Sequence, residues 1–282
     1  MTTAPIVART LGTLHEVLSH WQSTGVTYSL VPTMGALHDG HLELVRLART
    51  HANRVVASIF VNPAQFGPSE DLARYPRDEE GDLVKLTAAG CDLVWAPDPA
   101  AMYPAGFATR IIPEGAALGL EADFRPNFFS GVVTVCCKLF NQVAPSSAVF
   151  GEKDFQQLCV VRQLVRDMDM PVTIIGAPTV REPDGLALSS RNRYLRPEER
   201  HLAPALHEAI QAVARGIGAG ADIEAETLEA VRILSWKGFQ VDYVAVRDAV
   251  TLGRPQGARN FPMRVLAAAR LGNTRLIDNV PA

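Results

Sequence analysis

The sequence predicts an α/β protein: a doubly wound parallel sheet in a larger first domain, then a smaller α+β domain. Three observations predict it. Short β-branched runs alternate with apolar-periodic segments from Leu11 to Gly176, the pattern of successive βαβ units. The runs are continuous, as in Val55-Val56-Ala57-Ser58-Ile59-Phe60-Val61, which suits strands covered on both faces. Beyond Thr179–Asp184 the alternation stops, and helices precede strands. This places the domains at 1–179 and 180–282.

Residues 1–8 read as a lead-in. Thr10 caps a predicted helix over Leu11–Trp21, with Leu14, Val17, Leu18 and Trp21 on its apolar face. Gly25 ends it, and Tyr28–Val31 is a buried strand. The periodic residues Leu42, Leu44, Val45, Leu47 and Ala48 mark the next helix, and Arg54–Val61 the next strand. A helix near Asp78–Ala89 stops at Gly90, and a strand at Cys91–Ala96 stops at Pro97. Residues 98–130, rich in Pro, Gly and aromatics, are expected to form loops, a short strand at Arg110–Ile112 and a lid. Gly131–Ala144 is apolar nearly all round, so a buried helix is expected, with Lys138 snorkelling to the surface. Ala148–Phe150 and Val172–Gly176 are strands around a helix at Phe155–Met168. The second domain has helices near Pro197–Gly216 and Glu224–Trp236, and strands near Gln240–Val246 and Met263–Ala269.

The 282 residues are 48% hydrophobic and carry a net charge of −3, enough for real cores and without an electrostatic footprint for nucleic acid or an anionic membrane. Four cysteines (Cys91, Cys136, Cys137, Cys159) form no C-x-x-C pair, so reduced buried thiols are expected. No apolar run approaches the ~20 residues of a membrane span. The N-terminus lacks the order of a signal peptide. The expectation is a soluble cytoplasmic protein.

Four stretches carry candidate chemistry. Val31 to His41 runs from a strand through two glycines and two histidines into a helix. Glycine lets backbone approach a ligand, and a helix start suits an anion. His38 and His41, three apart, share a face of the first turn. Taken alone, a strand–glycine–helix turn with surface histidines is also ordinary. Asn62 and Gln65 come directly off a strand, where an open parallel sheet lines its binding crevice; two solvated loop amides is the alternative. Gly151-Glu152-Lys153-Asp154-Phe155-Gln156-Gln157 again joins a strand end to a helix, with Lys153 able to reach a phosphate. A charged turn with a capping aspartate is the plain alternative there. Arg181 to Arg193 brings together serines and arginines, the parts of a phosphate clamp or of a surface linker.

Together these stretches add to something specific. Strand, H-x-G-H, helix is similar to the signature of nucleotidyltransferases that share a Rossmann-like core with class I aminoacyl-tRNA synthetases. Five pieces resemble, in order, the pantothenate synthetase (pantoate–β-alanine ligase) family: Pro32 to His41, Phe60-Val61-Asn62-Pro63-x-Gln65-Phe66, Tyr75-Pro76-Arg77, Gly151 to Gln157, and Ser189-Ser190-Arg191-Asn192. The match is looser in the C-terminal third.

The resemblance implies condensation of pantoate with β-alanine using ATP, with Mg²⁺, and release of AMP and pyrophosphate. It implies that Met34, Gly35, Ala36, Leu37, His38, Asp39, Gly40 and His41 line ATP, with His41 the proton donor and His38 a phosphate partner. Gly151, Glu152, Lys153, Asp154 and Val180 would also hold ATP, with Lys153 on its phosphates. Leu188, Ser189, Ser190 and Arg191 would form a phosphate loop. Gln65 would contact pantoate and β-alanine; Asn62, Gln157 and Met34 would contact pantoate. Asp82 is the candidate Mg²⁺ ligand, and a homodimer is implied. The chain departs from the family pattern at Leu188, where methionine is usual, at Phe128, where histidine is usual, and at Cys136 and Cys137, where valine is frequent. Two other readings remain to be separated: a nucleotidyltransferase that keeps the nucleotide on its product, and a nucleotide-binding module without catalysis.

Overall fold

A computed structural model describes residues 3–67, 72–255 and 261–282. By its internal contacts the chain forms two compact units. The first is Met1–Pro113, Arg125–Glu152 and Val160–Pro178; the second is Glu114–Phe124, Lys153–Cys159 and Thr179–Ala282.

In chain order the elements are β1 (Ile6–Ala8), α1 (Leu11–Ser23), β2 (Tyr28–Thr33), α2 (Asp39–His51), β3 (Arg54–Ile59), α3 (Glu79–Ala89), β4 (Leu93–Trp95), α4 (Pro99–Met102), α5 (Glu121–Phe124), α6 (Phe128–Val143), β5 (Ser147–Gly151), α7 (Phe155–Asp167), β6 (Thr173–Ala177), α8 (Pro197–Leu202), α9 (Ala205–Gly218), α10 (Ile223–Trp236), β7 (Gln240–Asp248), β8 (Met263–Leu271) and β9 (Thr274–Pro281).

The first unit holds a parallel sheet in the order β1-β4-β3-β2-β5-β6. Val31, Val55, Ala57, Val94 and Val149 pack with Leu42, Val45 and Ala48 of α2 and Leu86 of α3. Successive strand residues point to opposite faces. The alternate set, Leu30, Val56, Leu93, Trp95 and Ala148, is also fully buried. On that side Trp95 Nε1 donates to Gln142 Oε1 of α6 at 3.1 Å. Burial on both faces is why these strands read as continuous apolar runs.

The chain moves outward from β2 to β3 and β4, then returns to β5 on the other side of β2. That reversal makes the carboxyl ends of β2 and β5 a topological switch point, the usual ligand crevice of an open α/β sheet. β2 pairs with β3 through Thr33, but with β5 only at Ser29 and Leu30. The two central strands therefore part where the crevice begins. Pro32 sits beyond the last pairing with β5, so its missing N–H costs no ladder bond there.

Most predicted elements are present, with shifted ends. Thr10 caps α1 by accepting from Thr13 N–H at 3.2 Å, and Gly90, at φ +83°, closes α3. Four expectations are corrected. The lead-in contains a strand: β1 pairs with β4 at Ile6–Ala8. Arg110–Ile112 is not a strand; the Ile111 N–H donates to Thr134 Oγ1 at 3.1 Å and its carbonyl accepts from Ser130 Oγ at 2.7 Å, so side chains of α6 take the place of a neighbouring strand. The long helix expected over Pro197–Gly216 divides into α8 and α9 around Ala203-Pro204. A third C-terminal strand, β9, follows the turn at Gly272 (φ +55°) and completes the antiparallel sheet β7-β8-β9. In the second unit α9 and α10 cover that sheet, with Ile210, Val213, Leu234, Val265, Ala267 and Ala269 in one core.

Candidate functional site

The turn between β2 and α2 is built from its backbone outward. Gly35 and Ala36 have φ of +77° and +52°. Such a conformation is open to glycine but strained for alanine. Each amide of this turn finds an acceptor inside the first unit. Gly35 N–H donates to Thr33 Oγ1 at 3.2 Å. Ala36 and Leu37 N–H donate to Asp82 Oδ2 and Oδ1, each at 2.8 Å. His38 N–H donates to His41 Nδ1 at 3.3 Å. The amides of residues 35–38 thus all have acceptors within the protein.

His38 is the N-cap of α2 and His41 its third residue. The rings stand 4.0 Å apart between centroids, at 40°. Because His41 Nδ1 accepts from the His38 N–H, the neutral ring carries its proton on Nε2. This is a capping-box bond made by imidazole in the place usually held by Glu or Gln. It turns a helix-start residue into an oriented donor at the positive end of the helix dipole.

Asn62 and Gln65 leave the end of β3. Asn62 is 1% exposed and uses every hydrogen-bonding position of its amide. Nδ2 donates to Gln65 Oε1 at 3.0 Å and Gly131 O at 3.1 Å. Oδ1 accepts from Ala64 N–H at 3.2 Å and Tyr103 Oη at 2.8 Å. Burial pushes the Tyr103 hydroxyl up to about 12, so it stays a donor. Gln65 Nε2 in turn donates to Met34 Sδ at 3.1 Å. The predicted acid-binding residues Met34 and Gln65 therefore meet, with Asn62 behind Gln65. Gly131 permits this packing: a Cβ there would lie 2.2 Å from Ala64 O.

Arg125 donates from Nη2 to Gln65 O at 3.3 Å, and its guanidinium lies 3.6 Å from the Phe128 ring centroid. The departure at Phe128 thus supplies a stacking platform in place of a polar side chain. Cys136 is buried, and burial pushes its thiol up to about 12, so it serves as apolar wall and not as nucleophile.

Asp82, expected as a metal ligand, has both oxygens on the turn. No cluster of three His, Cys, Asp or Glu side chains fit to hold a metal ion occurs among the described residues.

Gly151, at the end of β5, and Glu152 belong to the first unit, whereas Lys153, Asp154, Gln157, Val180 and Leu188 to Arg191 belong to the second. Leu188 N–H donates to Val180 O at 3.0 Å, and Arg181 bridges Ala187, so Val180 and Leu188 lie side by side on one hairpin. Ser189 then caps a single 3-10 turn over Ser190–Tyr194, its Oγ accepting from Arg191 N–H at 3.3 Å. Lys153 Nζ lies 3.4 Å from Asp154 Oδ2, and its carbonyl accepts from Asn279 Nδ2 at 2.9 Å. Gln157 is partly exposed on α7. Its neighbour Gln156 is buried instead, bonding Ala116 O, Gly119 O and Glu121 N–H.

Sequence reasoning missed β9. Asp278 accepts two bonds from Arg181, at 2.7 and 2.9 Å, and lies 3.1 Å from His207 Nδ1. Asn279 accepts from Arg264 Nε at 2.7 Å while it holds Lys153. The available signal was two adjacent polar residues inside the apolar run Leu276-Ile277-Asp278-Asn279-Val280.

The family model for pantoate-beta-alanine ligase matches residues 6–281. The chain is 54% identical to the pantothenate synthetase of Rhodopseudomonas palustris strain BisA53 over 281 residues, covering 99% of each chain. It is 52% identical to that of Paramagnetospirillum magneticum, again over 99% of each. Among solved structures, pantothenate synthetase from Thermus thermophilus superposes with a TM-score of 0.90 at 46% identity, covering 98% of each chain. The Francisella tularensis pantoate-beta-alanine ligase, solved with beta-gamma ATP and beta-alanine, gives 0.81 at 33% identity over 98% of this chain and 97% of that one. No described helix is long and apolar enough to cross a membrane. On these matches, which span its whole length, the chain belongs to the pantoate–β-alanine ligase family.

Proposed function

We propose that this enzyme joins pantoate to β-alanine through a pantoyl adenylate, consuming ATP and releasing pyrophosphate and then AMP. A carboxylate oxygen is a poor leaving group, and adenylation replaces it with AMP. In the first step the pantoate carboxylate attacks the α-phosphorus and the bond to pyrophosphate breaks. In the second the β-alanine amine attacks the acyl carbon, loses a proton and expels AMP. Neither step needs a protein nucleophile, and juxtaposition in a dry site supplies much of the rate.

The observation that carries this reading is the oriented imidazole of His41 at the start of α2, where the sheet order reverses. Its Nε2–H is suited to donate to phosphate oxygens as charge builds on them. His38 flanks it, and the remaining residues from Met34 to Gly40 are assigned to ATP. Gln65 beside Met34 suits a hydroxylated acid, since an amide both donates and accepts. Gln65 also serves β-alanine, and Gln157 serves pantoate. Asn62, already saturated, acts by holding Gln65. Gly151, Glu152, Asp154 and Val180 are assigned to ATP, Lys153 to its phosphates, and Leu188 to Arg191 to a phosphate loop. Among the described residues no side-chain cluster fits a resident metal, and Mg²⁺ enters with the ATP substrate. ATP consumption and four free cysteines suit the cytoplasm, and a homodimer is part of the same reading.

The test is exchange of labelled pyrophosphate into ATP. Exchange with pantoate alone, and amide only after β-alanine is added, supports the proposal. Exchange that needs β-alanine, or none at all, overturns it.

A further inference from the structure

A non-glycine residue at φ +52° is strained, so the Ala36 conformation must be held from outside the turn. Two side chains of α3, spaced one turn apart, do this. Asp82 accepts from Ala36 and Leu37 N–H, and Lys85 Nζ donates to Leu37 O at 2.8 Å. Asp82 is 1% exposed. Gly35 lets it come close, since a Cβ there would lie 3.0 Å from Asp82 Oδ2 and 3.3 Å from Ile59 Cγ2. Burying a carboxylate is costly unless its oxygens are used. Burial pushes the Asp82 carboxyl above its ordinary range, opposed by the two amides and by Lys85.

We propose that Asp82, assisted by Lys85, is a positioning residue for the reaction: it latches the backbone of residues 35–37 so that His38 caps α2 and its N–H meets His41 Nδ1. This rests on the reading that Met34 to His41 hold ATP. The latch acts through the imidazole pair and the nucleotide, and it ligates no metal.

The Asp82→Asn variant keeps the shape but turns a donor toward one of the two amides. A small misplacement of reacting groups can cost about 10²-fold. The expected result is a loss of roughly that size in kcat/KM for ATP, a change of less than about threefold in KM for pantoate, and an unchanged Mg²⁺ half-saturation point. A Mg²⁺ requirement raised tenfold and rescued by excess Mg²⁺ would make Asp82 a metal ligand and overturn the proposal. A lower unfolding temperature with unchanged kinetics would make it merely structural and overturn it too. Should that variant fold poorly, Lys85→Met removes only the bond to Leu37 O, and a several-fold loss confined to ATP is expected; no change in the ATP parameters counts against the latch. Calorimetric titration with MgATP alone separates this proposal from the reaction assigned above. Binding at least tenfold weaker in Asp82→Asn supports the latch even if pantoate proves not to react, and equal binding refutes it.

Discussion

Two aspartates are buried to nearly the same degree, Asp82 in the first unit at 1% exposure and Asp278 in the second at 4%. Their environments drive them in opposite directions. Asp82 faces two neutral amides, with a lysine nearby on its own helix, and burial wins, raising its pKa. Burial also pushes Asp278 upward, but His207 and the bidentate Arg181 outweigh it and hold the carboxyl below its ordinary value. The difference lies in the partners. Full charges opposite a carboxylate cement two segments together. Amide dipoles opposite one set the path of a turn without locking it by charge.

The largest expected effect breaks the charged side of this comparison. Asp278→Ala leaves the half-buried Arg181 guanidinium without its carboxylate, and denaturant unfolding should show a loss of about 3–5 kcal/mol. A loss below about 1 kcal/mol would mean that charge pairing contributes little in the second unit. Next comes the turn side. His41→Ala should slow pyrophosphate exchange by about 10²-fold or more while the protein stays folded. Unchanged exchange would remove His41 from the chemistry. Smaller again, Gln65→Ala should raise the pantoate KM about tenfold with the ATP KM little affected. The reverse order in steady-state kinetics would mean that the acid lies elsewhere.

The pH dependence of unfolding sharpens the contrast, because the signs differ. The folded pKa of Asp278 is depressed, so its contribution is full above the unfolded value of about 3.9 and is lost as pH falls from there through the folded value. The folded pKa of Asp82 is raised, so the folded chain takes up that proton first. Lowering the pH through the raised value toward about 3.9 therefore adds stability relative to neutral pH. Denaturant midpoints measured across pH should lose the first trend in Asp278→Asn and the second in Asp82→Asn. The smallest effect concerns a neutral hydroxyl in the same bridging role. Thr134→Val removes the acceptor for the Ile111 N–H and should cost about 1 kcal/mol in thermal unfolding.

Much of the first unit was legible from local pattern. Capping residues and glycines marked helix ends, as Thr10 and Gly90 did for α1 and α3. Apolar runs marked the strands that carry the sheet. The missed strands, β1 and β9, lack that signature: three residues beside a single neighbour, and a run interrupted by buried polar residues. The Arg110–Ile112 segment misled for the opposite reason, since β-propensity says nothing about where backbone bonds go. At the site, the residue types of His38, His41 and Gln65 were visible. Their partners were not. Asn62 was visible as an amide at a strand end, and only packing showed which four groups its amide meets.

By itself the sequence determined the alternation of strand and helix, the H-x-G-H turn and the family, because these depend on neighbouring residues in fixed order. Tertiary structure decided what each buried polar group does. Asp82 lies 45 residues from Leu37, and Arg181 lies 97 from Asp278. A carboxylate out of water acquires its charge state and its task from the donors that packing brings to it, and no local pattern names those donors.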